Sequence, residues 1–346
     1  MGRKIQIIAG PCSAESREQV MAVAGSLAGQ GVDFFRAGLW KPRTRPGCFE
    51  GVGEKGLEWL SAVRKDFGMR VCTEVARAEH VDLCLRAGVD LLWLGARTVV
   101  NPFMVEEVAS ALDGVDIPVY LKNPVNQDID LWKGAVERMA SHNVGQIGLI
   151  HRGFSSFADM EYRNDPRWSV AVEMRSAYPQ IPFLCDPSHM GGDRRYVPEI
   201  SQKAMDLGFD GLMVEVHCRP DEARSDSAQQ ITPEEFGRLI SCLRISEHTS
   251  DDRQYNETLE RLRDEIDTID SEILGVLSRR MDVSRRIGKC KKDRNVSIIQ
   301  PARWDTLMEK VYARGDESGL SRDFVSRVFN AIHEASVAEQ NKIIEK

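Results

Sequence analysis

Between Arg36 and Pro46 the chain places four cations in one loop: Arg36, Lys41, Arg43 and Arg45. The apolar pair Phe34-Phe35 just before them reads as the end of a short buried strand. Pro42 and Pro46 restrict the backbone, so the charges are held at set positions instead of sampling solvent. Arginine suits bidentate capture of a carboxylate or phosphate, and lysine adds a compact point charge. Arg97, Lys122 and Arg152 also follow apolar runs. Together with Arg36 and Lys41 they suffice for a carboxylate and a phosphate on one small molecule, and Arg43 and Thr44 are placed to hold a second phosphate.

A second set of residues has the chemistry of a metal site. Cys12 follows Gly10-Pro11, His189 sits in Asp186-Pro187-Ser188-His189, Glu215 precedes Val216-His217, and Asp226 lies in a polar loop. One thiolate, one imidazole and two carboxylates make a mixed donor set for Mn²⁺, Fe²⁺, Co²⁺ or Zn²⁺. His217 rivals His189 for the imidazole, and the residues alone leave both open. The cysteines at 48, 72, 84, 185, 218, 242 and 290 read as structural thiols. A metal that polarises a carbonyl, beside a cationic cage that holds an enol phosphate, suits an aldol-like condensation.

These residues need a scaffold that brings them to one face. Apolar runs at Ile5–Ala9, Asp33–Arg36, Arg70–Glu74, Leu91–Gly95, Val119–Lys122, Ile147–His151, Phe183–Asp186 and Leu212–Val216 alternate with helical patterns. Eight such units predict a (β/α)₈ barrel, whose functional groups belong at the carboxyl ends of the strands. Cys12, Arg36, Glu74, Arg97, Lys122, His151-Arg152, Asp186 and Glu215 all fall there. The net charge of −7 argues against broad attraction to nucleic acid or anionic membrane. No apolar run approaches a membrane span, the start leads straight into a strand, and the scattered cysteines fit a reducing compartment, so the expected location is the cytoplasm.

From Ile245 the character changes. The barrel is assigned to 1–245, a polar linker to 246–255 and a helical domain to 256–346. Leu259, Leu262, Ile266, Ile269, Ile273, Leu274 and Leu277 recur at helical spacing in one long helix that continues past Met281 and Ile287. A break near Asp293–Ser297, a helix from Pro301, a turn at Gly315–Gly319 and a last helix from Arg322 complete an all-α unit. It is too thin to bury its own faces, which predicts at least a homodimer. Arg263, Arg280, Lys291 and Arg303 are cations on or near inward faces, and Ser336 and Gln340 lie one turn apart.

Gly10-Pro11-Cys12-Ser13, Lys41-Pro42-Arg43-Thr44-Arg45-Pro46, Gly95-Ala96-Arg97, His151-Arg152-Gly153, Asp186-Pro187-Ser188-His189 and Ser225-Asp226 resemble the type Iβ 3-deoxy-D-arabino-heptulosonate 7-phosphate synthases over nearly all of 1–245. The resemblance implies condensation of phosphoenolpyruvate with erythrose 4-phosphate on the way to aromatic amino acids. It also implies Cys12, His189, Glu215 and Asp226 as metal ligands, selecting His189 over His217. Arg36, Lys41, Arg97, Lys122 and Arg152 would hold phosphoenolpyruvate, with Lys41 nearest the chemistry, and Arg43 and Thr44 the erythrose 4-phosphate. The sibling 3-deoxy-D-manno-octulosonate 8-phosphate synthases carry Lys-Ala-Asn-Arg-Ser where this chain has Lys-Pro-Arg-Thr, and rank second.

Leu262-Arg263, Arg279-Arg280-Met281, Lys289-Cys290-Lys291, Pro301-Ala302-Arg303 and Ser336-Val337-Ala338-Glu339-Gln340 are similar to the all-helical chorismate mutases over 256–346. By that resemblance Arg263 (from a partner chain), Arg280 and Arg303 bind the carboxylates of chorismate, and Lys291 and Gln340 face its ether oxygen. Trp304 and Gln300 depart from the family's Glu and Asp. The alternative for this region is an inactive dimerisation and effector module. The short start before Ile5 leaves no room for an N-terminal regulatory domain, so prephenate is expected to act as feedback inhibitor through the helical domain.

Overall fold

The computed structural model describes residues 3–42, 47–156, 160–247, 249, 252–299 and 301–344. Arg43, Thr44 and Gln300 lie outside the described residues. The chain divides into two compact units, 1–248 and 249–346.

The first unit is a closed barrel of eight parallel strands in sequence order. These are β1 (Gln6–Gly10), β2 (Phe34–Arg36), β3 (Val71–Val75), β4 (Leu91–Leu94), β5 (Val119–Lys122), β6 (Ile147–His151), β7 (Phe183–Cys185) and β8 (Gly211–Glu215). The helices between and around them are α1 (Arg17–Leu27), α2 (Lys55–Phe67), α3 (Ala78–Arg86), α4 (Ala96–Val99), α5 (Pro102–Ala111), α6 (Ile129–Ser141), α7 (Trp168–Ala177), α8 (Pro187–Gly191), α9 (Val197–Asp206) and α10 (Pro233–Cys242). Every expected strand is present, with ends displaced by a residue or so. Helix ends moved where caps decide them. Apolar periodicity in the sequence runs from Val105 to Leu112, whereas α5 begins at Pro102 because the Asn101 side chain accepts from Phe103 N and Met104 N.

Alternation along the strands divides the core in two. Ile8, Phe34, Cys72, Leu91, Trp93, Tyr120, Ile150, Leu184 and Met213 fill the barrel interior. The opposite strand faces pack on the helices in a larger outer core that includes Phe35, Leu92, Leu121, Phe183 and Val214. Closure pairs β1 with β8 so that Gly10 is opposite Glu215, which brings the Cys12 turn beside the end of the last strand.

Among the described residues the second unit holds three helices: α11 (Arg253–Asp293), α12 (Pro301–Glu317) and α13 (Arg322–Ile344). Asp252 caps α11 by accepting from Tyr255 N at 3.1 Å, so Arg253–Tyr255, read from sequence as the end of the linker, belong to its first turn. The expected turn at Gly315 is also displaced. Gly315 lies inside α12 with Val325 of α13 against it; a Cβ there would stand 2.7 Å from Val325 Cγ2. Its smallness serves close helix packing, not a break.

Candidate active sites

The carboxyl ends of the strands surround a polar cavity of about 300 Å³. Lys41, Glu74, Arg97, Lys122, Arg152, Arg163, Asn164, His189 and Asp226 line it. Four of the five expected anion-binding cations are therefore on its wall. The fifth, Arg36, is buried beneath: it donates from Nη2 to Glu215 Oε1 at 3.0 Å and stacks over the Trp93 ring at 5.0 Å. Gly95 makes room for Glu74, because a Cβ there would stand 2.1 Å from Glu74 Oε1.

The four expected metal donors lie in two contacts. Cys12 Sγ donates to Asp226 Oδ2 at 3.3 Å, and His189 Nε2 is 3.6 Å from Glu215 Oε1. His189 is fixed from behind, with Nδ1 2.8 Å from Asp186 Oδ2, and Lys122 Nζ donates to the same oxygen at 2.7 Å. His217 is elsewhere: its Nδ1 accepts from Arg219 N at 3.0 Å and its Nε2 faces Glu15 at 3.8 Å. Asp226 has a left-handed backbone, φ 46°, a strained conformation for a residue with a Cβ. Among the described residues no three His, Cys, Asp or Glu side chains form a ready-made metal cage. Lys41 Nζ instead donates to Cys12 Sγ at 3.2 Å.

The donor set fits a divalent cation in kind and in charge. Burial, helped by Glu215 and Asp226, pushes the Cys12 thiol up to about 12 despite Lys41. A thiol so placed stays protonated until a cation displaces its proton. Burial would also raise the two carboxylates, but His189 with Arg36 lowers Glu215, and His189 with Arg163 lowers Asp226. Both are ionised at neutral pH. Burial brings Arg152 down to about 10, so it remains a cation.

Sequence reasoning missed Arg163 and Gln229. Arg163 Nη1 donates to Asp226 Oδ1 and to Gln229 Oε1, both at 3.0 Å. Gln229 Nε2 donates to Glu215 Oε2 at 2.7 Å. Arg163 sits in the loop after β6, at the functional end of the barrel, and that position was the available signal.

In the helical unit, α11 and α13 bring the second cluster together. Arg280 Nη1 donates to Ser336 Oγ, and Ser336 Oγ donates to Ile332 O at 2.8 Å. Gln340 is buried, and its Oε1 has no hydrogen-bond partner among the described residues. Gly288 permits the approach, since a Cβ there would meet Gln340 Cα at 3.2 Å. Lys291 Nζ donates to Ile298 O at 2.6 Å. Arg263 and Arg303, read as near inward faces, are exposed on this chain. Arg263 is 17 residues before Arg280 on the same helix, about 26 Å along its axis. The Trp304 and His333 rings pack at a 33° tilt with centroids 4.1 Å apart, joining α12 to α13.

A (β/α)₈ barrel with cations gathered at its strand ends, followed in the chain by a helical unit with its own cationic cluster, defines an enzyme for small anionic substrates. The DAHP synthetase I family matches residues 1–251, and chorismate mutase type II matches 262–341. The chain belongs to the DAHP synthetase I family and carries a C-terminal chorismate mutase domain, pairing a transferase with an isomerase of the shikimate pathway. It is 36% identical over 234 residues to a phospho-2-dehydro-3-deoxyheptonate aldolase of Thermotoga maritima, covering 68% of this chain and 67% of that protein. A crystal structure of the Thermotoga maritima enzyme superposes with a TM-score of 0.62 at 35% identity, covering 69% of this chain and 68% of that one. A 2-dehydro-3-deoxyphosphooctonate aldolase of Wolinella succinogenes is 30% identical, covering 68% of this chain and 97% of that protein. Among the described residues no helix is long and apolar enough to cross a membrane.

Proposed function

We propose that the barrel condenses phosphoenolpyruvate with erythrose 4-phosphate in a divalent-metal-dependent reaction, and that the helical domain rearranges chorismate to prephenate. The observation that carries the first half is the cavity wall. Lys41, Arg97, Lys122 and Arg152 converge on a space sized for a small phosphorylated acid, beside a thiol, an imidazole and two carboxylates. Arg97 and Arg152 suit bidentate contacts to phosphate, and Lys122, anchored on Asp186, suits the carboxylate. Cys12, His189, Glu215 and Asp226 would hold the metal, which when bound polarises the aldehyde carbonyl. Lys41 reaches both the Cys12 sulfur and the cavity, so it is placed to move a proton at the reacting carbon or oxygen. Arg43 and Thr44, next along the chain, hold the second phosphate in this reading.

For the second half, Arg280, Lys291, Ser336 and Gln340 supply donors for a dicarboxylate that needs only a held chair and charge stabilisation at the breaking ether bond. Arg263 is too far along α11 to join them within one chain. Leu262, Ile266, Ile269 and Ile273 form an exposed apolar row on that same stretch, which supports a homodimer whose second copy delivers Arg263. Arg303 completes the carboxylate contacts, and prephenate bound at this site lowers the rate of the barrel.

Octonate aldolases among the relatives make the sugar phosphate the property to test. Metal-loaded protein is offered phosphoenolpyruvate with either erythrose 4-phosphate or arabinose 5-phosphate, and phosphate release is followed. The four-carbon sugar is expected to be consumed and the five-carbon sugar left. The reverse preference would assign the barrel to the octulosonate reaction.

A further inference from the structure

Both carboxylates of the donor set are gripped from outside by one guanidinium. Arg163 Nη1 donates to Asp226 Oδ1 directly and to Gln229 Oε1, each at 3.0 Å. Gln229 is 1% exposed and passes its amide nitrogen to Glu215 Oε2 at 2.7 Å. The amide has only one workable orientation. A flip would set its oxygen against the carboxylate and its nitrogen against the guanidinium. Glu215 Oε1, on the other side, takes Arg36 at 3.0 Å and faces His189.

The segment that carries Arg163 is also tied to the segment that carries His189. Arg163 N donates to Gly191 O and Asn164 N to Met190 O, both at 3.1 Å, and Asn164 Nδ2 donates to His189 O at 2.6 Å. Gly192, at φ 70°, leaves space for the arginine stem, because a Cβ there would stand 2.3 Å from Arg163 Cβ. Three of the four donor-bearing segments are therefore referred to one short stretch of the loop after β6.

We propose that Arg163, acting directly on Asp226 and through Gln229 on Glu215, is the positioning residue that sets the two carboxylates for a divalent cation. This rests on the metal reading above. Positioning and simple charge have opposite signs here. Removing a cation beside two carboxylates strengthens cation binding by electrostatics alone, whereas losing the group that orients them weakens it, typically by about 10- to 100-fold.

The test is Co²⁺ binding by the full chain, followed by equilibrium dialysis and by thiolate-to-cobalt charge-transfer absorption. Wild type is expected to bind with a thiolate band. Arg163→Ala, at a half-exposed position that the fold tolerates, is expected to bind at least ~10-fold more weakly with an altered ligand-field spectrum. Gln229→Leu should weaken binding too, and the double variant should be less affected than the two losses combined, because the two residues act as one unit. Arg163→Lys should recover part of the affinity, since both bonds leave from a single nitrogen. Equal or tighter binding by Arg163→Ala with an unchanged spectrum would reduce Arg163 to a screening charge. Wild type that takes up no Co²⁺ would instead remove the metal reading itself, and the two failures are distinct.

Discussion

The barrel and the helical domain both gather cations for anionic ligands, but they hold them differently. In the barrel the charges are already paired: Arg36 with Glu215 and Lys122 with Asp186 in the interior, and half-exposed Arg163 with Asp226. A closed sheet lets one chain supply all the described residues that line its cavity. The helical domain leaves Arg263 and Arg303 in solvent and an apolar row of α11 uncovered. Three helices enclose little volume of their own. The lesson is about enclosure: a barrel preorganises charge within one copy, whereas a thin helical unit, on the proposed reading, draws on a second.

The largest expected effect separates the two regions outright. Cys12→Ala should abolish condensation while leaving chorismate rearrangement intact, and a chelator should reproduce that split until divalent metal is restored. Assaying both activities in one preparation checks it; a metal-free sample that still condenses would refute the donor set. Next in size, Lys291→Ala and Arg280→Ala should each lower the mutase rate by about 10²-fold, the loss expected for one preorganised charge. Their condensation rate without prephenate should hold. Arg280→Ala should also blunt prephenate inhibition of the barrel in the full chain. Near-normal mutase rates in both variants would favour the inactive-module alternative.

The smallest effect concerns the barrel's buried base. His151 is packed among Trp132, Phe154, Trp168, Phe183 and Phe209, and burial holds its pKa down at about 4. The unfolded chain takes up that proton near pH 6.5, so the stability this group contributes is complete above 6.5 and lost as pH falls towards 4. The shift is worth about 3 kcal/mol at most. Urea titrations at pH 7 and pH 5 should show a smaller acid loss in His151→Gln than in wild type. An identical loss would assign the acid sensitivity to other groups.

Much of the barrel was legible because alternation of apolar runs with helical spacing is a long-range pattern, and strand ends then point to Lys41, Arg97, Lys122, Arg152 and His189. What escaped was contact between loops. Arg163 and Gln229 lie far apart in sequence and carry no motif, and only the fold sets them against Asp226 and Glu215. Arg36 reads like its neighbours, yet strand register turns it under the cavity floor. In the helical domain spacing located Arg280, Lys291, Ser336 and Gln340, but facing direction depends on what covers α11. Arg263 therefore looked inward on periodicity and is outward on one chain.

The contrast between the barrel and the proposed two-copy helical site has a direct test. Arg263→Ala and Lys291→Ala chains are co-expressed, and the mixed population is assayed for both activities. Each variant alone should be nearly inactive as a mutase. In a mixed two-fold dimer, one site keeps its own Lys291 and receives an intact Arg263 from the other copy. Random pairing should then restore mutase activity to about a quarter of wild type, with condensation at the wild-type rate throughout. Mutase activity that stays at the level of the separate variants would contradict a site built across two copies.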